Sequence, residues 1–285
     1  QFQYDFGMAG ITLGADWLNY EIDGTYSPTH SEYDNLAGFT LGKLRLLQDQ
    51  RLVITGGLRY DQYEVDMGNQ GGSEDDANMT PQLGIAYTLN NAWKLRANYT
   101  QAFKIPTAQQ LASDYPGWGG DYVGNPDLDP ETSDTYELGV DYSTGKVKAS
   151  LTWFTTSFED KIQTVTLPGG DTTWDNLDSA DLEGLEAELQ LHLTPAGYDT
   201  WRVIPYIRVV KMLEYRDNNL GEDLKYTSDL TASYGVTLKN ETGFSGNMNV
   251  AYTGEQDIDH WVGMMPGNPP EIEKDSFTVA NLTLK

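Results

Sequence analysis

The stretch DLEGLEAELQLHL, residues 181–193, alternates between apolar and polar side chains. The two sets fall on opposite parities: Leu185, Ala187, Leu189, Leu191 and Leu193 against Glu186, Glu188, Gln190 and His192. Successive side chains of a β-strand point to opposite faces, whereas a helix would scatter these residues around its axis. The stretch therefore predicts a strand with one apolar face and one polar face.

The same alternation recurs along most of the 285-residue chain. It is clearest at residues 52–60, 81–87, 93–100, 136–142, 146–153, 230–238 and 248–252. Such segments predict twelve strands between residues 10 and 285, with residues 1–6 as the end of a thirteenth. No helical period competes with them, so we expect an all-β, antiparallel fold.

The connections between the predicted strands alternate in length. Short ones fall near residues 49–50, 90–91, 143–145, 194–198 and 240–243, and long ones near residues 23–34, 66–79, 104–133, 159–181, 215–225 and 255–274. In an antiparallel meander this order places every long loop at one end of the sheet and every short turn at the other. Transmembrane β-barrels of the outer membrane have this plan, with short periplasmic turns and long extracellular loops.

The polar face favours a transmembrane barrel over a soluble lipocalin-like barrel or sandwich. It carries Lys94, Arg96, Glu186, Glu188 and His192. Each would cost several kcal/mol in a dry core without a partner, whereas a water-filled lumen holds them without that cost. Aromatic residues near strand ends agree with interfacial girdles: Trp17, Tyr20, Tyr60, Tyr87, Trp93, Tyr99, Tyr142, Trp153 and Tyr252.

Composition excludes several classes of function. The chain holds 43 Asp and Glu against 18 Lys and Arg, for a formal net charge of −25. That charge would repel a phosphate backbone, so no nucleic-acid partner is expected. Cysteine is absent, which excludes disulfides and thiolate nucleophiles. No G-x-S-x-G turn is present either, so an outer-membrane barrel enzyme is the least favoured class.

Four motifs follow one another along the chain. LVITGGLRYDQYEV (residues 52–65) precedes AFKIPT (residues 102–107), which contributes Phe103 and Pro106. GNPDLDPETSDTYELGVDY (residues 124–142) contributes Asn125, Pro126, Leu128 and Glu131, and WDNLDSADLEGLEAEL (residues 174–189) contributes Glu183, Gly184 and Glu186. Together they resemble the motifs of TonB-dependent outer-membrane receptors, although Lys104, Ile105 and Asp127 depart from the family's usual residues.

The resemblance implies a barrel of about 22 strands with a plugged lumen. Residues 1–285 would supply about 12–13 of those strands, whereas an N-terminal plug and the last strands are absent from this sequence. It also implies active uptake of a scarce chelated nutrient, with a ferric siderophore as the first choice, in the outer membrane of a Gram-negative bacterium. The implied partners are outer-membrane lipid and lipopolysaccharide, the chelate, and a TonB-type energy-coupling protein that acts through the plug. A passive porin or a small barrel is the alternative.

Aromatic residues in the predicted long loops are the candidates for ligand binding. They are Tyr115, Trp118, Tyr122, Trp174, His260 and Trp261. Aromatic faces suit planar ligands such as ferric chelates, and the alternative is that these side chains pack loop against loop. Haem is less favoured than a siderophore, because members of the family that take haem carry a His between the two boxes and residues 107–124 contain none.

Charged side chains suggest two further hypotheses. Lumen-facing Arg59, Lys94, Arg96, Lys146 and Lys148 would either attract an anionic chelate or pair with Glu137, Asp141, Glu186 and Glu188 across strands. Asp127, Asp129 and Glu131 have the spacing of a calcium loop, interrupted by Pro130, and simple solvation is the alternative. We expect no tightly bound cofactor, and iron only as part of the ligand.

Overall fold

The computed structural model describes residues 1–117, 119–259 and 271–285 and is almost entirely β-sheet. In chain order the strands are β1 (Phe2–Asp5), β2 (Ala9–Asp23), β3 (His30–Leu46), β4 (Leu52–Asp66), β5 (Ser73–Thr88), β6 (Trp93–Lys104), β7 (Asp114–Pro116), β8 (Asp121–Val123), β9 (Glu131–Ser143), β10 (Val147–Thr166), β11 (Thr172–Leu191), β12 (Trp201–Asp217), β13 (Glu222–Asp223), β14 (Leu230–Asn240), β15 (Ser245–Thr253), β16 (Gln256–Asp259), β17 (Glu271–Lys274) and β18 (Phe277–Leu284). One short helix, α1 (Ala108–Ala112), lies between β6 and β7. No helix among the described residues is both long and apolar enough to cross a membrane.

Thirteen strands form one antiparallel meander in which each pairs with its neighbours along the chain. The small strands β7, β8, β13, β16 and β17 lie in the connections. Within the described residues the sheet does not close, because β1 and β18 are its two edges. The predicted all-β, antiparallel fold and its strand number are confirmed, and an open sheet is expected of part of a barrel.

Cross-strand register keeps the two faces chemically distinct. One row of directly paired residues on the apolar face runs through Leu44, Ile54, Ile85, Ala97, Leu138, Trp153 and Leu185. The adjacent row on the polar face runs through Lys43, Thr55, Gly84, Asn98, Glu137, Phe154 and Gly184. Since a slip by one residue would exchange the two faces, this register is fixed by the alternation of the sequence.

Several charged side chains on the polar face are paired across strands. Arg96 Nε lies 3.1 Å from Asp141 Oδ1, and its Nη2 donates to Thr152 Oγ1 at 2.7 Å. Asn98 Nδ2 donates to Glu137 Oε2 at 2.9 Å. Two more arginines, Arg59 and Arg208, also lie against carboxylates. Of the two hypotheses for these cations, pairing across strands with a predicted partner is observed for Arg96, which pairs with Asp141. Arg59 pairs instead with Asp16 on β2 and with Asp61 on its own strand.

For three of the predicted long loops, at residues 23–34, 66–79 and 159–181, at least half of the length is strand, so these predictions are wrong in extent. The hairpins β2–β3, β4–β5 and β10–β11 extend far past the apolar band and close through residues 24–29, 67–72 and 167–171. The pattern missed these extensions because strands beyond the band no longer need an apolar outward face. The buried residues on their other face, such as Tyr33, Val65 and Asp178, are a mixture of apolar and polar types. The loop at residues 104–133 is confirmed as long, and part of the one at residues 255–274 lies outside the described residues.

One aromatic side chain departs from the predicted girdle. Tyr20 stacks on Tyr33, with ring centroids 4.8 Å apart and planes 4° from parallel. Tyr33 shares the parity of Lys43 on β3 and therefore lies on the polar face of the sheet. Tyr20 thus packs on the polar-face side instead of marking an interface with lipid.

If the apolar face meets lipid, Leu151→Arg will lower the free energy of unfolding by about 2–4 kcal/mol, because a guanidinium in hydrocarbon loses its hydration. Leu151 lies on the apolar face between Val140 and Ala187. Urea unfolding of the full-length protein in lipid vesicles measures the difference.

The matched control is Ser150→Arg, one residue away on the polar face. Its neighbours across the sheet are Asp141 and Glu188, so the new cation meets carboxylates and the change in free energy is small. Equal losses for the two variants would contradict the assignment of the faces.

Candidate functional site

The long connection between β6 and β9 is a folded segment, not an open loop. It contains α1, which begins with a capping box at Thr107. Thr107 Oγ1 accepts the N–H of Gln110 at 3.3 Å, and Gln110 Oε1 accepts the N–H of Thr107 at 2.8 Å. The pattern Thr-x-x-Gln is a known start signal, so the sequence contained evidence for a helix that strand periodicity alone overlooked.

One side of this segment is anchored on the polar face of β3 and β4. The buried cluster consists of Tyr33, Val65, Met67, Ala108, Leu111, Ala112 and Leu128. Tyr33 Oη also accepts the N–H of Ala108 at 2.7 Å, which satisfies one of the free amides at the start of α1. Residues 105–130 therefore fold inward over the sheet instead of extending away from it.

The other side of the segment is fastened to β11 by two asparagines. Asn176 Nδ2 donates to the carbonyls of Asp129 and Asp160 at 2.9 and 2.7 Å, and its Oδ1 accepts the N–H of Asp129 at 2.8 Å. Asn125 Nδ2 donates to the carbonyl of Trp174 at 2.9 Å. These bonds fix the backbone of the segment, since side-chain amides replace the pairing that a strand would supply.

Four aromatic rings form a continuous row across this end of the molecule, which we call the aromatic ladder: Tyr26, Tyr115, Tyr122 and Trp174. The ring centroids of consecutive members lie 4.8, 4.8 and 6.0 Å apart. Tyr115 and Tyr122 face each other across β7 and β8, and Gln109 Nε2 donates to Tyr115 Oη at 3.1 Å. The ladder links the tip of the β2–β3 hairpin to β11.

Three of the six predicted ligand-binding aromatics are thus brought together: Tyr115, Tyr122 and Trp174. They do pack loop against loop, yet none is fully buried, and Tyr26 at the end of the row is 61% exposed. Trp118, His260 and Trp261 lie outside the described residues. Tyr26 lies in the predicted long loop at residues 23–34 and was missed, because its contact with Tyr115 joins residues far apart in the chain.

The residues of the second and third motifs, AFKIPT and GNPDLDPETSDTYELGVDY, hold the folded segment in place. The ring centroids of Phe103 and Tyr63 lie 6.0 Å apart. Pro106 is buried, and Leu128 belongs to the buried cluster. Asn125 makes the bond to β11, and the neighbouring Pro126 is exposed. These motif residues support the ladder without being part of it.

In the fourth motif, residues 174–189, close packing against β10 requires the glycine at position 184. A Cβ on Gly184 would lie 2.5 Å from Cζ of Phe154, so any other residue would displace that ring. Glu183 Oε1 accepts the indole N–H of Trp153 at 2.8 Å. Glu186 lies on the polar face opposite Thr152. The Glu-Gly-x-Glu pattern thus serves strand packing on both faces of β11.

The residues of the predicted calcium loop are not arranged around a common point. Glu131 Oε1 accepts the ammonium of Lys104 at 3.1 Å and the N–H of Ile162 at 3.2 Å. The backbone amides of Asp127 and Asp129 are held by Asn125 and Asn176. No group of three or more His, Asp or Glu side chains in the described part of the chain has the arrangement of a metal site.

A pair of buried carboxyl groups lies behind the segment, beyond the apolar band. Asp178 on β11 and Asp217 on β12 are 4% and 5% exposed, and Lys161 Nζ lies 3.5 Å from Asp178 Oδ2. Burial, with a hydrogen bond shared with Asp217, raises the pKa of Asp178. Burial alone would raise the pKa of Asp217 too, but the amides of Leu220 and Asn219 and the Asp178 side chain lower it overall. Of the two carboxyl groups, Asp178 therefore has the higher pKa.

Comparison with known proteins places the whole chain in one family description, "TonB dependent receptor-like, beta-barrel", which matches residues 1–285. The iron-regulated outer membrane virulence protein of Vibrio cholerae is 32% identical over 209 residues, which cover 64% of this chain and 30% of that protein. The ferrienterobactin receptor of Escherichia coli is 24% identical over 254 residues, which cover 82% of this chain and 32% of that protein. This chain therefore spans about a third of the length of these relatives.

A solved structure shows the same fold. The siderophore receptor PirA from Acinetobacter baumannii superposes with a TM-score of 0.73 at 20% identity, over 99% of this chain and 46% of that one. At that identity the likeness concerns the fold alone. It confirms the barrel architecture predicted from strand alternation.

The clamp formed by Asn176 gives a first prediction at this site. Asn176→Ala removes three hydrogen bonds and leaves an amide and two carbonyls unpaired, so we expect the segment to lose about 1–3 kcal/mol of local stability. Limited proteolysis within residues 105–130 then becomes faster, by roughly tenfold or more. Asn91→Ala, in an exposed short turn at the opposite end, is the control. Identical cleavage rates for the two variants would contradict the role of the clamp.

The buried carboxyl pair gives a pH prediction. Because the pKa of Asp178 is raised, the folded state binds a proton that the unfolded state has released. Stability is therefore lost as pH rises from the ordinary pKa of Asp through the raised value. Asp178→Asn mimics the protonated form and removes this loss, whereas Asp199→Asn in an exposed turn retains it. Hydrogen exchange of β11 and β12 at pH 4 to 8 measures the slope, and equal slopes in both variants would contradict the assignment.

Proposed function

Since the chain belongs to the family of TonB-dependent receptor-like β-barrels, we propose that it forms part of an outer-membrane receptor that takes up a ferric siderophore. The membrane is the outer membrane of a Gram-negative bacterium, as the name of the Vibrio cholerae relative supports. The apolar face of the sheet contacts lipid, and the strand extensions beyond it reach the lipopolysaccharide layer. Uptake draws on a plug in the lumen and on a TonB-type energy-coupling protein.

The observation that carries this proposal is the aromatic ladder. It lies at the end of the sheet where the connections are long, and it is built on a segment folded over the polar, lumen-side face. Stacked and tilted aromatic faces offer a large contact area for the planar groups of a chelate. A row fixed at both ends also loses little conformational freedom when a ligand binds.

The alternatives fit this geometry less well. A passive porin needs an open path along the polar face, whereas residues 105–130 fold over that face and are bonded to strands on both sides. An outer-membrane enzyme needs a nucleophile with a base beside it. The relatives of this chain by sequence are named as receptors and transport proteins, which supports transport over catalysis.

Removal of one ring from the ladder tests the proposal. Tyr122→Ala takes away the ring that touches both Tyr115 and Trp174, so we expect the Kd for a ferric siderophore to rise by about five- to tenfold. Quenching of Trp fluorescence in the detergent-solubilised full-length protein measures Kd, and radiolabelled iron uptake by cells measures transport.

The control is Tyr198→Ala, which removes an exposed ring from a short turn at the opposite end. Its Kd and uptake are expected to match those of the unchanged protein. If Tyr122→Ala behaves like Tyr198→Ala with every ferric chelate tested, the ladder does not bind the ligand.

A further inference from the structure

The segments that build the aromatic ladder carry charge of one sign only. They are residues 24–29, 105–130 and 167–176, and their charged side chains are all aspartates: Asp114, Asp121, Asp127, Asp129, Asp171 and Asp175. These segments contain no Lys, Arg or His. A ligand that reaches the ladder therefore approaches through a negative potential.

Five of these aspartates, Asp114, Asp121, Asp127, Asp129 and Asp175, are exposed. Asp114 and Asp121 alternate with Tyr115 and Tyr122 along β7 and β8, so the carboxylates lie on the opposite face of the ribbon from the rings. Charges within a Debye length of about 8–10 Å still act on a ligand at the rings. The aspartates thus select by charge without direct contact.

Four cations on the neighbouring strands are already paired with carboxylates. Arg59 Nη1 lies 2.8 Å from Asp16 Oδ2, and its Nη2 lies 2.9 Å from Asp61 Oδ1. Arg96 Nε lies 3.1 Å from Asp141 Oδ1. At the base of the segment, Lys104 is paired with Glu131, and behind it Lys161 is paired with Asp178. An anionic ligand would have to break such a pair and leave a carboxylate without its partner, which is costly.

The rings favour the same sign of ligand as the carboxylates do. An aromatic face carries partial negative charge and attracts a cation placed over it. Tyr26, the most exposed member of the ladder, offers such a face at the tip of its hairpin. Ring faces and aspartates therefore act together on a positively charged group and against a negatively charged one.

The charge of a ferric chelate depends on its donor groups. Three catecholates carry twice the charge needed to balance a ferric ion, so a ferric tris-catecholate is anionic. Three hydroxamates balance it, so a ferric tris-hydroxamate is neutral, and one with a free ammonium group is a cation. On the basis of the proposed siderophore function, we propose that this receptor takes neutral or cationic ferric chelates of the hydroxamate type and excludes anionic catecholates.

The test compares three ferric chelates on the full-length protein in detergent: an anionic tris-catecholate, a neutral tris-hydroxamate and a tris-hydroxamate with a free ammonium group. Fluorescence titration gives Kd for each at low and high salt. We expect the cationic chelate to bind tightest and the catecholate weakest, and salt to weaken the cationic chelate while strengthening the catecholate.

A charge variant gives a second readout. The fourfold variant Asp114→Asn, Asp121→Asn, Asp127→Asn and Asp175→Asn removes four negative charges. Each charge changes the Kd of a singly charged ligand at this range by about twofold. We expect Kd for the cationic chelate to rise by about tenfold and Kd for the catecholate to fall. Asp49→Asn, which removes the same charge from an exposed short turn at the opposite end, is the control and leaves both values unchanged.

The outcomes separate this inference from the function on which it rests. Tightest binding by the anionic catecholate, with no effect of salt or of the charge variant, would overturn the charge selectivity and leave the siderophore receptor intact. Absence of binding by all three chelates would overturn both.

Discussion

Backbone pairing between neighbouring strands is the constraint on which the rest of this structure depends. Lipid offers no partner for a peptide N–H or C=O, so a chain that crosses a bilayer as strands must satisfy every such group within its sheet. The backbone pairing from β2 to β15 satisfies these groups, and it fixes which alternate residues of each strand face lipid. Because that parity is constant from Leu44 through Leu138 to Leu185, the polar side chains of these strands lie mainly on the lumen face and toward the two ends of the sheet.

Where lipid imposes the pattern, the sequence predicts the fold well. The alternation of apolar and polar residues predicted the strands around Leu95 and Leu189 correctly, because every residue of these strands faces either hydrocarbon or water. It failed at Ser73 and the acidic residues that follow it, which form the start of β5. There both faces meet water, and pairing with β4 holds the strand without requiring any particular side chain.

The candidate site was predictable only in part. Tyr115, Tyr122 and Trp174 stood out as aromatics in glycine-rich loops, and the ladder contains all three. Tyr26 and Tyr33 could not be assigned in the same way, because their roles depend on contacts with residues far along the chain. The motif residues were found by resemblance, yet the structure shows that Leu128 and Gly184 are there for packing.

The order of the site depends on contacts outside it. A helix of five residues is far too short to be stable alone, so α1 persists through its capping box and its packing on Tyr33 and Val65. Asn176 holds the opposite side of the segment. Since the aromatic ladder is intact only while both anchors hold, loss of either one would displace the rings in a fraction of the molecules. On the proposed function, the apparent ligand affinity would fall in proportion to that fraction.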